Sequence, residues 1–120
     1  MTQRASSSRF PYISIRIDFR EEPYQLELEA FIDTGFDGEL ILPMALAADL
    51  PPSKRITTWR MADGSPIRTP HYPITVQVLG LSGNFEANAS LLGDLTMIGR
   101  LITNRFRINL DHGREVVVEP

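Results

Sequence analysis

A small, mostly antiparallel β-barrel or sandwich with one or two short helices is the fold class predicted here, and three observations predict it. Apolar residues recur at every second position over several short stretches. Pro, Gly and Asp clusters interrupt those stretches at short intervals. The chain has 120 residues, enough for one domain, and no cysteine to staple it.

Each element follows from its local pattern. In residues 12–18, Ile13, Ile15 and Ile17 alternate with polar neighbours, which marks a strand with one buried face. Glu21-Glu22-Pro23 makes a turn, and residues 26–32 repeat the alternation until Asp33-Thr34-Gly35 breaks it. The two strands form a hairpin that delivers an acidic loop. Residues 39–42 read as a short apolar strand. Residues 43–50 suit a short helix, with Pro43 near its first turn and Pro51-Pro52 ending it.

Extended arms over residues 56–61 and 67–72 flank Ala62-Asp63-Gly64-Ser65-Pro66, and an Asp-Gly pair between two arms signals a projecting hairpin. Residues 74–78 alternate again, and after a turn over residues 80–83 another arm runs over residues 85–92. Residues 99–104 can form a short helix. Phe106, Ile108 and Leu110 then share one strand face, and Asp111-His112-Gly113 turns the chain into a last strand over residues 114–119. Residues 1–9 carry Arg4, Arg9 and three serines and are expected as a flexible N-terminal arm, leaving residues 10–120 as a single domain.

Composition narrows the function classes. Hydrophobic residues make up 42% and charged residues 22%, a balance that supports an ordinary core. Net charge is −3, so the overall field repels nucleic acid and anionic membrane surfaces. The apolar stretch over residues 40–48 is about half of the ~18 residues that span a bilayer, and the N-terminus lacks a signal-peptide core. A cytoplasmic protein that engages neither membrane nor nucleic acid is expected. Without cysteine there is no thiolate ligand or nucleophile, and His71 and His112 lack ligand-like spacing, so neither a metal nor another cofactor is expected.

The chemistry-bearing segment is Phe31-Ile32-Asp33-Thr34-Gly35, where an apolar strand runs directly into a carboxylate, a hydroxyl and a glycine. A carboxylate at the end of a hydrophobic strand is desolvated, and a second one beside it would share a single proton with it. Thr34 offers a hydroxyl to fix the loop, and Gly35 lets backbone approach the carboxylate closely.

These residues resemble the signature of the retropepsin-like, or retroviral-type, aspartic proteases, in particular their single-domain cellular and prokaryotic relatives. Ile32-Asp33-Thr34-Gly35 is similar to the hydrophobic-Asp-Thr/Ser-Gly motif, and Ala62-Asp63-Gly64 lies where that family has its flap hairpin. Met97-Ile98-Gly99-Arg100 is similar to the motif that precedes the family's C-terminal helix. The resemblance covers residues 10–120 and implies a small closed β-barrel with a flap. It also implies an aspartic endopeptidase that hydrolyses peptide bonds with a water held between two Asp33 carboxylates. One chain carries a single such motif, so the resemblance implies a homodimer with one Asp33 from each copy.

By the same resemblance Asp33, Thr34 and Gly35 are the catalytic set. Phe36, Asp37, Trp59, Met61, Ala62, Asp63 and Gly64 contact a peptide or protein substrate, while Ile98, Gly99 and Arg100 support the site. Asp37 and Arg100 are expected to pair, and breaking such a pair costs about 3–5 kcal/mol if it is buried. The sequence differs from the family at Phe36, where a small Ala is usual, at the flap tip, which has the single glycine Gly64, and at Leu101 in place of Asp or Asn. These differences keep open a second reading, a catalytically inactive retropepsin-fold module for binding or dimerisation. Trp59 is equally compatible with a core or interface anchor. Glu27 and Glu29 belong to a solvated strand face, as do Arg105 and Arg107.

Overall fold

Period-2 alternation becomes ladder register in the computed structural model, which describes residues 3–120. The elements are β1 (Ala5–Ser7), β2 (Tyr12–Phe19), β3 (Gln25–Ile32), β4 (Leu40–Leu42), a 3-10 helix (Met44–Asp49), β5 (Arg55–Arg60), β6 (Pro66–Val78), β7 (Phe85–Leu91), β8 (Met97–Ile98), α1 (Arg100–Thr103), β9 (Arg107–Asp111) and β10 (Glu115–Glu119). Ile13, Ile15 and Ile17 of β2 oppose Ala30, Leu28 and Leu26 of β3 and point inward together. Glu27 and Glu29 face out, where Glu29 meets Arg9 at 3.1 Å.

The large sheet runs β2-β3-β8-β4-β7-β6-β5 and closes through β2–β6, giving a six-stranded barrel with β5 outside the ring. Closure removes the free edges that β2 and β6 would otherwise present. Inside lie Ile74, Val76 and Val78 of β6, Ala87, Ala89 and Leu91 of β7, Leu40 and Leu42 of β4, and Ile98 of β8. A three-stranded sheet, β1-β10-β9, lies beside the barrel, and Ile102, Val116 and Val118 join the two to one core. Among the described residues no helix is long and apolar enough to cross a membrane.

Several details differ from the sequence-based expectation. Met1 and Thr2 lie outside the described residues, and within the segment expected as a flexible arm Ala5–Ser7 is a strand paired with Val116–Val118. Those valines present a strand edge that a polar segment can pair with through backbone bonds alone. The helix expected over residues 43–50 is a 3-10 turn, with Leu46 N–H donating to Pro43 O, because the flanking prolines leave no length for α-helical bonding. Strand β6 does not break at Pro73. Pro70 and Pro73 sit where β6 passes from β5 to β7 and β2, so their missing N–H groups fall at ladder ends. Leu110 is exposed, since β9 is an edge strand and only Phe106 and Ile108 reach the core.

Ile98 is fully buried and pairs with both Ile32 and Leu40. Ile98→Ala should lower unfolding free energy by about 2–5 kcal/mol, read by denaturant titration.

Candidate active site

Strand β3 carries the chain from the buried Ile32 to a half-exposed Asp33. Backbone bonds fix that residue: Asp33 N–H donates to Ile98 O at 3.0 Å, and Ile32 N–H to Pro11 O at 3.1 Å. The loop then turns on itself. Gly35 N–H donates to Asp33 Oδ1 at 2.9 Å and Phe36 N–H to Asp33 O at 3.2 Å. A Cβ on residue 35 would stand 3.2 Å from Asp33 Oδ1, so glycine lets the amide come close to the carboxylate. Thr34 is exposed, and among the described residues its hydroxyl makes no bond within the chain. The loop is held by Asp33 and backbone amides, where the sequence suggested the threonine hydroxyl.

Strand β8 lies between β3, to which it is parallel, and β4, to which it is antiparallel, so the segment 98–101 lies against the loop of residues 33–39 that joins them. Gly99 N–H donates to Glu39 O at 2.9 Å, Arg100 N–H to Phe36 O at 2.9 Å and Leu101 N–H to Gly38 O at 3.2 Å. Ile98, Gly99 and Arg100 therefore support the Asp33 loop chiefly through backbone. There is no space at the crossing. A Cβ on Gly99 would meet Phe36 Cδ2 at 2.6 Å and Phe36 O at 2.7 Å, and one on Gly38 would meet Trp59 Cη2 at 2.6 Å. Gly38 was not singled out by sequence; its only signal there is the Asp37-Gly38 pair.

Arg100 Nη2 and Asp37 Oδ2 are 3.9 Å apart, and their side chains are 52% and 77% exposed. The expected pair thus exists but is solvated and long, and solvent screening reduces it to about 0–1 kcal/mol. The cost of breaking a buried pair does not apply.

The hairpin of β5 and β6 projects over this region, with its tip at residues 61–65. Met61, Ala62, Asp63 and Gly64 are all exposed there. Gly64 has φ +87°, and Asp63 Oδ1 accepts the Ser65 N–H at 2.9 Å. The Ser65 hydroxyl and amide hold the Asp63 carboxyl below its ordinary pKa. Trp59 reaches back to the floor, its ring 5.1 Å from that of Phe36 at 61°. The structure thus joins Phe36 and Trp59 to the Asp33 loop and leaves the tip residues in solvent. At the hairpin base, Thr57 Oγ1 and His71 Nδ1 share a 2.6 Å hydrogen bond, and Arg55 Nη2 donates to Glu21 at 2.9 Å. Burial, and secondarily the Arg55 charge, lower the His71 pKa. His112 pairs with Asp111, so the two histidines are engaged at separate places.

Concave surfaces lined by Val78, Phe85 and Phe106, and by Glu21, Arg55 and Tyr72, do not include Asp33, Thr34 or Gly35.

No family model and no curated protein matches the sequence. Among solved structures, the chain is similar to a retropepsin-like aspartic protease from Rickettsia conorii, at 14% identity over 99% of this chain and 94% of that one, with a TM-score of 0.57. It is also similar to the EIAV protease in complex with the inhibitor HBY-793, at 21% identity over 79% of this chain and 86% of that one, with a TM-score of 0.52. The fold is retropepsin-like.

Two stability experiments follow from this geometry. Gly99→Ala should cost about 1–3 kcal/mol by overpacking against Phe36, whereas Arg100→Ala should cost less than about 1 kcal/mol, both read by thermal and denaturant unfolding. For His71, a lowered folded-state pKa means the unfolded chain takes up the proton first. Its contribution is intact above the ordinary value of 6.5 and is lost as pH falls through the lower folded value. The stability difference between the native chain and His71→Asn should therefore shrink on acidification.

Proposed function

We propose that this chain is one half of an aspartic endopeptidase. The observation that carries the proposal is Asp33, delivered by β3 to the exposed rim of a retropepsin-like barrel and fixed there by Ile98 O and Gly35 N–H. One such carboxylate is chemically incomplete. Two copies related by a two-fold axis bring two Asp33 groups together, and like charges in contact leave the pair holding one proton. The ionised carboxylate then takes a proton from a bound water, while the protonated one polarises the scissile carbonyl. The water oxygen adds to the carbonyl carbon, and a proton passes to the leaving nitrogen as the peptide bond breaks.

Asp33, Thr34 and Gly35 form the reacting loop in this proposal, and Thr34 offers its free hydroxyl at the junction between copies. A substrate lies extended between that loop and the hairpin, bonding by backbone in the manner of an added strand. Phe36, Asp37, Trp59, Met61, Ala62, Asp63 and Gly64 flank its path.

A second reading has one specific observation in its favour. Phe36 and Trp59 meet where an extended chain would pass, as suits a binding or dimerisation module without turnover.

Cleavage of an unstructured polypeptide between about pH 4 and 7 separates the two. The native chain should cleave with a rate that rises faster than linearly with protein concentration, and Asp33→Asn should lose at least about 100-fold. Equal activity in both, or none in either at concentrations where sedimentation shows dimers, would leave the binding module.

A further inference from the structure

Phe36 and Trp59 join the floor of the site to the hairpin above it. Phe36 sits in a socket made by two residues without side chains, since a Cβ on Gly38 would approach it within 2.8 Å at Cε1 and one on Gly99 within 2.6 Å at Cδ2. Trp59 closes the socket from the hairpin side with an edge-to-face contact at 5.1 Å. Burial and quadrupole attraction both favour this closed arrangement.

One feature of Trp59 opposes it. Its Nε1 is buried and, among the described residues, has no hydrogen-bond partner. A buried indole N–H ordinarily finds an acceptor, and leaving that bond unmade costs free energy that is recovered when water or a carbonyl reaches it.

β5 is the end strand of its sheet, pairing with β6 alone, and the hairpin's other fastenings are at its base, through Ser53, Thr57 and His71 and through Arg55 and Glu21. Toward the tip, Met61, Ala62, Asp63 and Gly64 are solvated.

We propose that Phe36 and Trp59 form an aromatic latch that holds the hairpin down on the Asp33 loop in the free chain, and that the latch parts to uncover the loop. The opposing terms make it a two-position element: ring contact stabilises the closed position, and the unpartnered N–H stabilises the open one. The latch needs no catalysis. Its consequence, that an entering peptide must part the rings, rests on the endopeptidase reading.

Trp59 is the only tryptophan in the chain, so its fluorescence reports the latch without substrate or turnover. Emission maximum and acrylamide quenching would be compared in the native chain, Phe36→Ala and Phe36→Leu, with circular dichroism to establish folding. The native chain should emit at short wavelength and resist quenching. Phe36→Ala should shift to the red and quench more readily, the open-to-closed ratio rising roughly two- to tenfold on loss of one edge-to-face pair. Amides of residues 57–67 should exchange faster in the same variant. Phe36→Leu, which keeps bulk and loses the ring, should lie between and serves as the reading if Phe36→Ala does not fold. A folded variant with native emission and quenching, or a native Trp59 already as accessible as free tryptophan, would overturn the latch. Either result stands whether or not the chain cleaves peptides.

Discussion

The crossing of two backbones beside Asp33 is the constraint on which the rest of the structure depends. Segment 98–101 packs against the loop of residues 33–39, and amides of Asp33, Gly99, Arg100 and Leu101 bond between the two. Two chains approach this closely only where side chains are absent, and Gly38 and Gly99 supply that absence. The crossing also sets the sheet. It lays β8 between β3 and β4 in mixed orientation, and without β8 the ring from β2 through β6 would not close.

Charge has a smaller part in holding the site than the residue types suggest. Arg100 and Asp37 meet at the limit of ion-pair distance in solvent, and the Arg9–Glu29 and Arg20–Glu86 pairs are similarly exposed. What fixes Asp33 is a ladder end, a turn amide and an apolar floor. Such interactions are insensitive to salt, and they place a carboxylate without neutralising it.

The same economy links the barrel to the hairpin. β6 is long because it serves twice, pairing with β2 and β7 in the barrel and with β5 beyond it. Pro70 and Pro73 mark the handover. The hairpin is therefore anchored in the core at one end and solvated at the other, with Trp59 as the point where it touches the loop.

Much of the fold was legible in the sequence, for a local reason: alternation in residues 12–18 and 26–32 is a property of neighbours, and a strand with one buried face needs nothing more to reveal itself. Asp33-Thr34-Gly35 was legible because a carboxylate abruptly ending an apolar strand is conspicuous in one dimension. Other features were decided only in three dimensions. β8 is two residues long, too short for any period to show, and exists because β3 and β4 flank it. β1 lies in a polar segment that pairs because Val116, Val117 and Val118 offer an edge. The exposure of the Asp37–Arg100 pair and the seating of Phe36 against Trp59 depend on residues far apart in the chain meeting at one crossing. Sequence by itself determined which strands form and where the carboxylate stands; tertiary structure decided what touches it, because contacts across a barrel are set by closure and not by any local pattern.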